Sequence, residues 1–211
     1  MKFRWCGHAC FLITFEDGTK VVTDPFGDIG YPALDVDADV VTVSHDHFDH
    51  NEVSAVKGDP VVLDKPGGHQ THGLKAKGIP VYHDDSKGSQ RGENVIFVME
   101  KDEKRIAHLG DLGHDLTEKE FSDMGRVDVL LTPVGGHFTI DADQAKTIIE
   151  KLDPKVVIPM HYKTEAIDFP IAGVDNFLKH YPNYEKAQSS VVKIKAEDLQ
   201  GERRIIVLDY E

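Results

Sequence analysis

The chain has 211 residues, with 24 Lys and Arg set against 37 Asp and Glu, a formal charge of −13, and two cysteines. A chain of this length buries about 70% of the surface its unfolded form exposes, so one domain over residues 1–211 is expected. The acidic excess argues against a nucleic-acid partner, because phosphate backbones demand clustered Lys and Arg. No apolar run approaches the ~20 residues of a membrane span.

Residues 1–8 carry early positive charge, but the apolar stretch after them is short and leads into Glu16-Asp17-Gly18. That pattern predicts a first strand and turn rather than a signal peptide. Cys6 and Cys10 stand about 13 Å apart on extended chain, too far for a disulfide. Unbridged thiols point to the cytoplasm. Phe11-Leu12-Ile13 and Lys20-Val21-Val22-Thr23 flank the Asp-Gly turn as a hairpin. Residues 27–39, rich in Gly, Pro and Asp, form a loop before the buried strand 38–43.

That strand delivers His45-Asp46-His47-Phe48-Asp49-His50, three imidazoles and two carboxylates in six residues. Neutral imidazole and carboxylate are the usual ligands of first-row metals, and the end of a buried strand is where α/β enzymes place their chemistry. One turn of chain cannot complete two coordination spheres, so further ligands are expected at other strand ends.

Strands follow at 60–63 and 79–82, the second ending at His83. A second hairpin turns at 101–103 between 94–99 and 105–109, and is followed by Asp111. A Thr-x-x-Glu pattern starts a helix at Thr117. Residues 127–131 form a strand, with Gly135-Gly136-His137 beyond it. Asp141 caps a helix over 142–152, with Ala145, Ile148, Ile149 and Leu152 on one stripe. A strand at 155–159 leads to His161, a helix spans 174–180, and 205–208 form the last strand. Strands alternating with helices predict an α/β fold.

The intact His-x-His-x-Asp-His pattern at His45, His47, Asp49 and His50 resembles the signature of the metallo-β-lactamase superfamily. Gly7-His8-Ala9-Cys10 and Thr23-Asp24-Pro25 are similar to its N-terminal hairpin. Gly110-Asp111 and Pro159-Met160-His161-Tyr162 are similar to its later ligand motifs. The details resemble the compact metal-dependent hydrolase branch that includes the ascorbate-6-phosphate lactonases. The resemblance implies a four-layer αββα sandwich over the whole chain and two divalent metal ions, zinc first, with manganese or iron as alternatives.

Carried over residue by residue, it implies His45, His47 and His83 on one ion, Asp49, His50 and His161 on the other, and Asp111 bridging them. His69 and His72 compete with His83, although Gly67 to Gly73 reads as a turn. Asp24 is expected either to orient a ligand histidine or to form an Asp-Pro turn. His8 is open between a hydrogen bond near the metals and a structural role, and His137 between pocket and surface. Tyr162 and Lys163 are candidates for an anionic substrate group. His108 and His114 are expected to be structural, and His180 superficial.

The implied activity is hydrolysis of a small ester, lactone or phosphoester by a hydroxide that the two metals activate. Asp49 would carry the leaving-group proton and Asp111 would hold both ions. A phosphodiesterase or ribonuclease of the same superfamily is the enzymatic rival. A metal-dependent metabolite-binding protein without turnover is the rival of another class. No segment identifies a substrate or an oligomeric interface.

Overall fold

The computed structural model describes residues 1–210. In chain order the strands begin with β1 (Lys2–Gly7), β2 (Cys10–Thr14), β3 (Lys20–Thr23), β4 (Val36–Asp37), β5 (Val40–Thr42), β6 (Val56–Lys57), β7 (Val61–Leu63) and β8 (Gly67–Thr71). They continue with β9 (Leu74–Tyr82), β10 (Glu93–Lys101), β11 (Lys104–His108), β12 (Val129–Pro133), β13 (Val156–Met160), β14 (Glu185–Lys186), β15 (Val191–Lys193) and β16 (Arg204–Val207). Helix α1 (Glu118–Met124) precedes β12, α2 (Ala142–Leu152) precedes β13, and α3 (Asp175–Leu178) follows it.

Two sheets stack face to face. One has the order β15-β1-β2-β3-β5-β7, the other β14-β16-β13-β12-β11-β10-β9-β8, and β4 pairs with β6 in a separate ladder. The first sheet shows why alternation matters. Phe3, Trp5, Phe11, Ile13 and Val21 point into the main core between the sheets. Their neighbours Cys6, Cys10, Leu12, Val22 and Val41 face the other way, into a second cluster with Phe26, Tyr31, Ile167 and Ile171. The layer over this sheet is therefore built largely of loops, a short ladder and a single 3₁₀ turn at Val53–Ala55. The outer face of the second sheet takes the helices, through Met124, Ala145, Ile148, Ile149 and Phe177. The result is the expected αββα sandwich with one thin outer layer.

Both predicted caps are present. Thr117 and Glu120 close a capping box on α1, and Asp141 with Gln144 closes one on α2. The central strands β12 and β13, parallel and covered on both sides, are buried along their whole length, as near-continuous apolar runs require.

Two local expectations are corrected. Residues 67–73 are not one long turn: β8 pairs with β9, and only His72 (φ 49°) and Gly73 (φ 70°) turn between them. This edge strand carries no apolar alternation, so periodicity could not reveal it. Nor does the chain run extended from Cys6 to Cys10, which lie on two antiparallel strands. The β1–β2 hairpin, with a register shift between Trp5 and Gly7, folds the Cys10 thiol back to hydrogen-bond with Cys6, both reduced and buried.

Candidate metal centre

The candidate ligands gather at one end of the sandwich because nearly all follow the C-terminal end of a strand. Asp24 follows β3, Ser44 to His50 follow β5, His83 follows β9, Asp111 follows β11 and His161 follows β13. His8 enters from the β1–β2 turn. Three of these residues, His8 (φ 52°), Asp24 (φ 39°) and His161 (φ 49°), adopt left-handed backbone. Such strain is retained where surrounding structure over-determines it, commonly at functional sites. Gly110 (φ 54°) admits Asp111 for a steric reason, since a Cβ there would meet Asn94 Oδ1 at 2.4 Å and Ser44 Cβ at 2.5 Å. Asn94, fully buried, pins the same turn: its Oδ1 accepts the Asp111 N–H (3.0 Å) and its Nδ2 donates to Leu109 O (2.9 Å).

One buried carboxylate fixes two imidazoles. Asp24 Oδ1 accepts the Ser44 N–H at 2.8 Å, and Oδ2 lies 2.6 Å from Ser44 Oγ and 2.9 Å from His50 Nδ1. Burial opposes the Asp24 charge, but His108 and His50 outweigh it and hold its pKa below the ordinary carboxylate value. An ionised carboxylate only accepts, so His50 must donate from Nδ1 and Ser44 must donate its hydroxyl. Ser44 Oγ is then left to accept from His45 Nδ1 at 2.9 Å. The bonds at Nδ1 thereby leave Nε2 of each ring facing the site, the nitrogen through which it would bind a metal.

Around these rings the donors converge. The ligand atoms of His45, His47 and His83 lie within 4.8 Å of one another, as do those of His8, His50 and His161. A single oxygen, Asp111 Oδ2, lies 3.1 Å from His161 Nε2 and 3.3 Å from both His50 Nε2 and His83 Nε2. Asp49 Oδ2 lies 3.7 Å from His50 Nε2 and 3.2 Å from His8 Nε2.

The residues fit metal ions on their own chemistry. Among the described residues, His45 Nε2 and Asp111 Oδ1 are buried without a hydrogen-bond partner, a costly arrangement unless an ion satisfies them. Burial, followed by the nearby His50, lowers the His45 pKa to about 2, and burial with His161 lowers that of His8 to about 4. Both rings are therefore neutral near pH 7, as ligation requires of His45, whereas His8 keeps a proton to donate to Asp49. At His50 burial also disfavours charge, but Asp111 and Asp24 outweigh it and raise the pKa. This corner is a field built for a cation.

Several candidates lie elsewhere. His69 Nε2 bonds to Lys65 O and His72 Nδ1 to Thr71 Oγ1, both on the β8–β9 hairpin and outside the clusters of ligand atoms. Tyr162 does not line the pocket: it is buried against Trp5, ring centroids 5.1 Å apart, beneath the site. Lys163 is paired with Asp168 at 3.1 Å. His137 is exposed, because successive left-handed residues Gly136 (φ 62°) and His137 (φ 61°) turn it outward, and its neighbour Phe138 takes the pocket wall. His108 donates from Nε2 to Ala9 O and accepts the Gly110 N–H, a structural role. His114 likewise bridges Tyr82 N–H and Asp115 O. His180 pairs with Asp143 at the surface.

Over the ligands lies a pocket of about 270 Å³, whose walls outside the ligand set are Phe48, Phe138, Phe169 and Arg91. None of these four carried a sequence signal, apart from the placement of Phe48 inside the cluster. Ser44, Asn94 and Asp84 were also unmarked, since each acts through a bond to a distant part of the chain or to the backbone of its own loop.

Comparison with known proteins gives a consistent result. The profile described as beta-lactamase superfamily domain matches residues 2–161. A UPF0173 protein of Pyrococcus furiosus is 33% identical over 181 residues, covering 78% of this chain and 84% of its own. A UPF0173 metal-dependent hydrolase of Hyperthermus butylicus is 32% identical over 230 residues, covering 93% and 97%. Among solved structures, a Thermotoga maritima protein described as a Zn-dependent hydrolase of the metallo-beta-lactamase superfamily superposes with a TM-score of 0.85. It is 40% identical, with 100% of this chain and 99% of that one covered. A metallo hydrolase of Ignicoccus hospitalis, at 20% identity and a TM-score of 0.66, shares the fold.

Proposed function

This chain belongs to the metallo-β-lactamase superfamily, in its compact metal-dependent hydrolase branch, and from that premise we propose that it holds two divalent ions and hydrolyses a small ester, lactone or phosphoester. The observation that carries the reading is the single Asp111 oxygen within 3.3 Å of three imidazole nitrogens. Three imidazole nitrogens aimed at one buried carboxylate oxygen form an arrangement that shared cations would satisfy. His45, His47 and His83 would hold one ion, Asp49, His50 and His161 the other, and Asp111 would contact both. The donor clusters hold only imidazole and carboxylate, which suits zinc first and also manganese or iron. The Thermotoga maritima relative at 40% identity, described as Zn-dependent, supports that order.

Bound there, such ions supply a nucleophilic hydroxide near neutral pH and polarise the scissile oxygen. The chain's own residues supply the rest. Asp24, directly at His50 and through Ser44 at His45, orients two rings with Nε2 toward the ions. Asp49 stands on the pocket wall, its side chain partly open; burial opposes its charge, but His8 and His50 outweigh it and keep the carboxylate ionised, so it would take a proton only in passing it to a leaving group. His8 donates to Asp49 Oδ2 at 3.2 Å and so fixes that carboxylate's orientation. The phenylalanine walls limit water around the reacting bond. A small pocket and a net charge of −13 favour a small molecule over nucleic acid. No helix among the described residues is long and apolar enough to cross a membrane. The two reduced thiols support a cytoplasmic setting.

The test is to strip the protein of metal, reload it with zinc, manganese or iron(II), and screen esters, lactones and phosphoesters while metal content is measured. The expected result is two ions per chain and turnover on one of these classes. D111N should lose at least one ion and most turnover. Full metal content and activity in D111N would overturn the assignment, as would tight metabolite binding without turnover under any metal.

A further inference from the structure

Arg91 stands apart from the other arginines whose partners are plain. Arg105, Arg126, Arg203 and Arg204 are each committed to carboxylates. The Arg91 guanidinium lies 5.5 Å over the Phe138 ring, and among the described residues it meets no carboxylate. In a chain with 37 acidic side chains, an uncommitted guanidinium on the wall of the metal pocket needs a reason. A cation over an aromatic face is held in direction while its N–H groups remain available.

Its backbone is built for the purpose. The buried Asp84 carboxylate accepts four N–H groups of its own loop: Ser86 (2.8 Å) and Gly88 (2.9 Å) on Oδ1, Gln90 (2.9 Å) and Arg91 (2.8 Å) on Oδ2. The loop is closed behind it, with Gly92 N–H donating to Gly88 O and His83 N–H to Gly92 O, each at 3.0 Å. Arg91 is thus tied to the backbone of a candidate ligand, and little ordering is left to be done when a partner binds.

Arg91 and His47 also border a second hollow of about 530 Å³. That side carries Asp46, Asp64 and Glu93 against Lys65, so an anion is disfavoured there. On the pocket side the carboxylates are Asp49 and Asp111, both assigned to the ions, whose charge offsets theirs. The anionic partner of Arg91 therefore belongs in the 270 Å³ pocket, beside Phe138 and Phe169, a space at the small end of ligand pockets.

We propose that Arg91 is the specificity residue of this site, and that the substrate is a small molecule with an apolar or aromatic body and an anionic group separate from the bond that is cleaved. The body lies against Phe138 and Phe169, the anion pairs with the Arg91 guanidinium, and the labile bond faces the ligand cluster. This rests on the hydrolase reading for the reaction, but recognition by Arg91 can be measured without turnover.

The probes are benzenesulfonate, a weakly coordinating aromatic anion, and methyl phenyl sulfone, its uncharged counterpart, titrated calorimetrically into zinc-treated protein. Wild type should bind the sulfonate about tenfold more tightly than the sulfone, the lower range for a charge-assisted pair at a partly open site. R91Q should bind both alike while keeping wild-type metal content and melting temperature, and R91K should retain part of the preference. F138A should weaken both probes together. D84N keeps the Arg91 side chain but loosens the loop that holds it, and should reduce the preference. R91Q with an undiminished preference, or wild type with none, would overturn the proposal. Metal content separates the two readings: with zinc taken up, the sulfonate preference alone decides the role of Arg91, whereas if the chain takes up no zinc the metal-centre reading fails and the anion placement, which needs the ions' charge against Asp49 and Asp111, fails with it.

Discussion

Replacing Asp24 with Asn should act on both halves of the ligand set at once. The carboxylate is fully buried and accepts three hydrogen bonds, from Ser44 N–H, Ser44 Oγ–H and His50 Nδ1–H. An amide can keep its oxygen on the Ser44 N–H, but its NH₂ then occupies the place of Oδ2 and faces two donors. The conflict is relieved if His50 moves its proton to Nε2 and the Ser44 hydroxyl turns to donate to His45 Nδ1, moving that proton to Nε2 as well. Each ring then presents N–H where it should present a lone pair.

Losing such an orienting partner typically costs 10–100-fold in metal affinity, about 1.4–2.8 kcal/mol. A lost charge-assisted hydrogen bond, about 1.5–3 kcal/mol, gives the same scale. Competition with a chromophoric chelator should therefore show both dissociation constants of D24N raised by at least tenfold. S44A, which removes only the branch to His45, should raise one. Circular dichroism of the metal-free variants guards against simple unfolding. A D24N protein that binds both ions within twofold of wild type would refute the tautomer argument.

H83A should lower metal content and abolish turnover, whereas H69A, on the far hairpin, should change neither; plasma emission spectrometry with an activity screen decides between them. Burial, and then the adjacent Cys6, push the Cys10 thiol well above its ordinary pKa of 9.0. Its raised folded pKa means the unfolded chain loses this proton first as pH rises. Stability present below pH 9.0 should therefore decline above it, and C10A should flatten the decline in urea titrations at pH 8 to 10. For the same reason iodoacetamide at pH 8 should label Cys10 only at the rate of unfolding.

How much of this was legible in the sequence depended on how local each signal was. The cluster from His45 to His50 reads directly, because five candidate ligands fall in one turn after a buried strand. His83, Asp111 and His161 read at one remove, as ligand residues where apolar runs end. Both helix caps and the Asp-Gly hairpin read from adjacent residues. Strands of two or three residues such as β4, β14 and β15 gave no period to detect, and β8 is exposed along an edge.

The sequence by itself determined which residues could bind metal and that they would meet at strand ends. Only the tertiary structure decided who controls them. Asp24 reaches His45 through Ser44, twenty residues away in the chain. Asn94 holds Asp111 across a hairpin, and Cys10 folds back onto Cys6. Tyr162 and His137, adjacent to the right motifs, are turned out of the pocket, and Arg91 and Phe138 enter it from separate loops. Ligand identity is a property of a side chain, legible one residue at a time. Tautomer, pocket wall and substrate charge are properties of pairs that meet only when distant loops are brought to the same end of two stacked sheets.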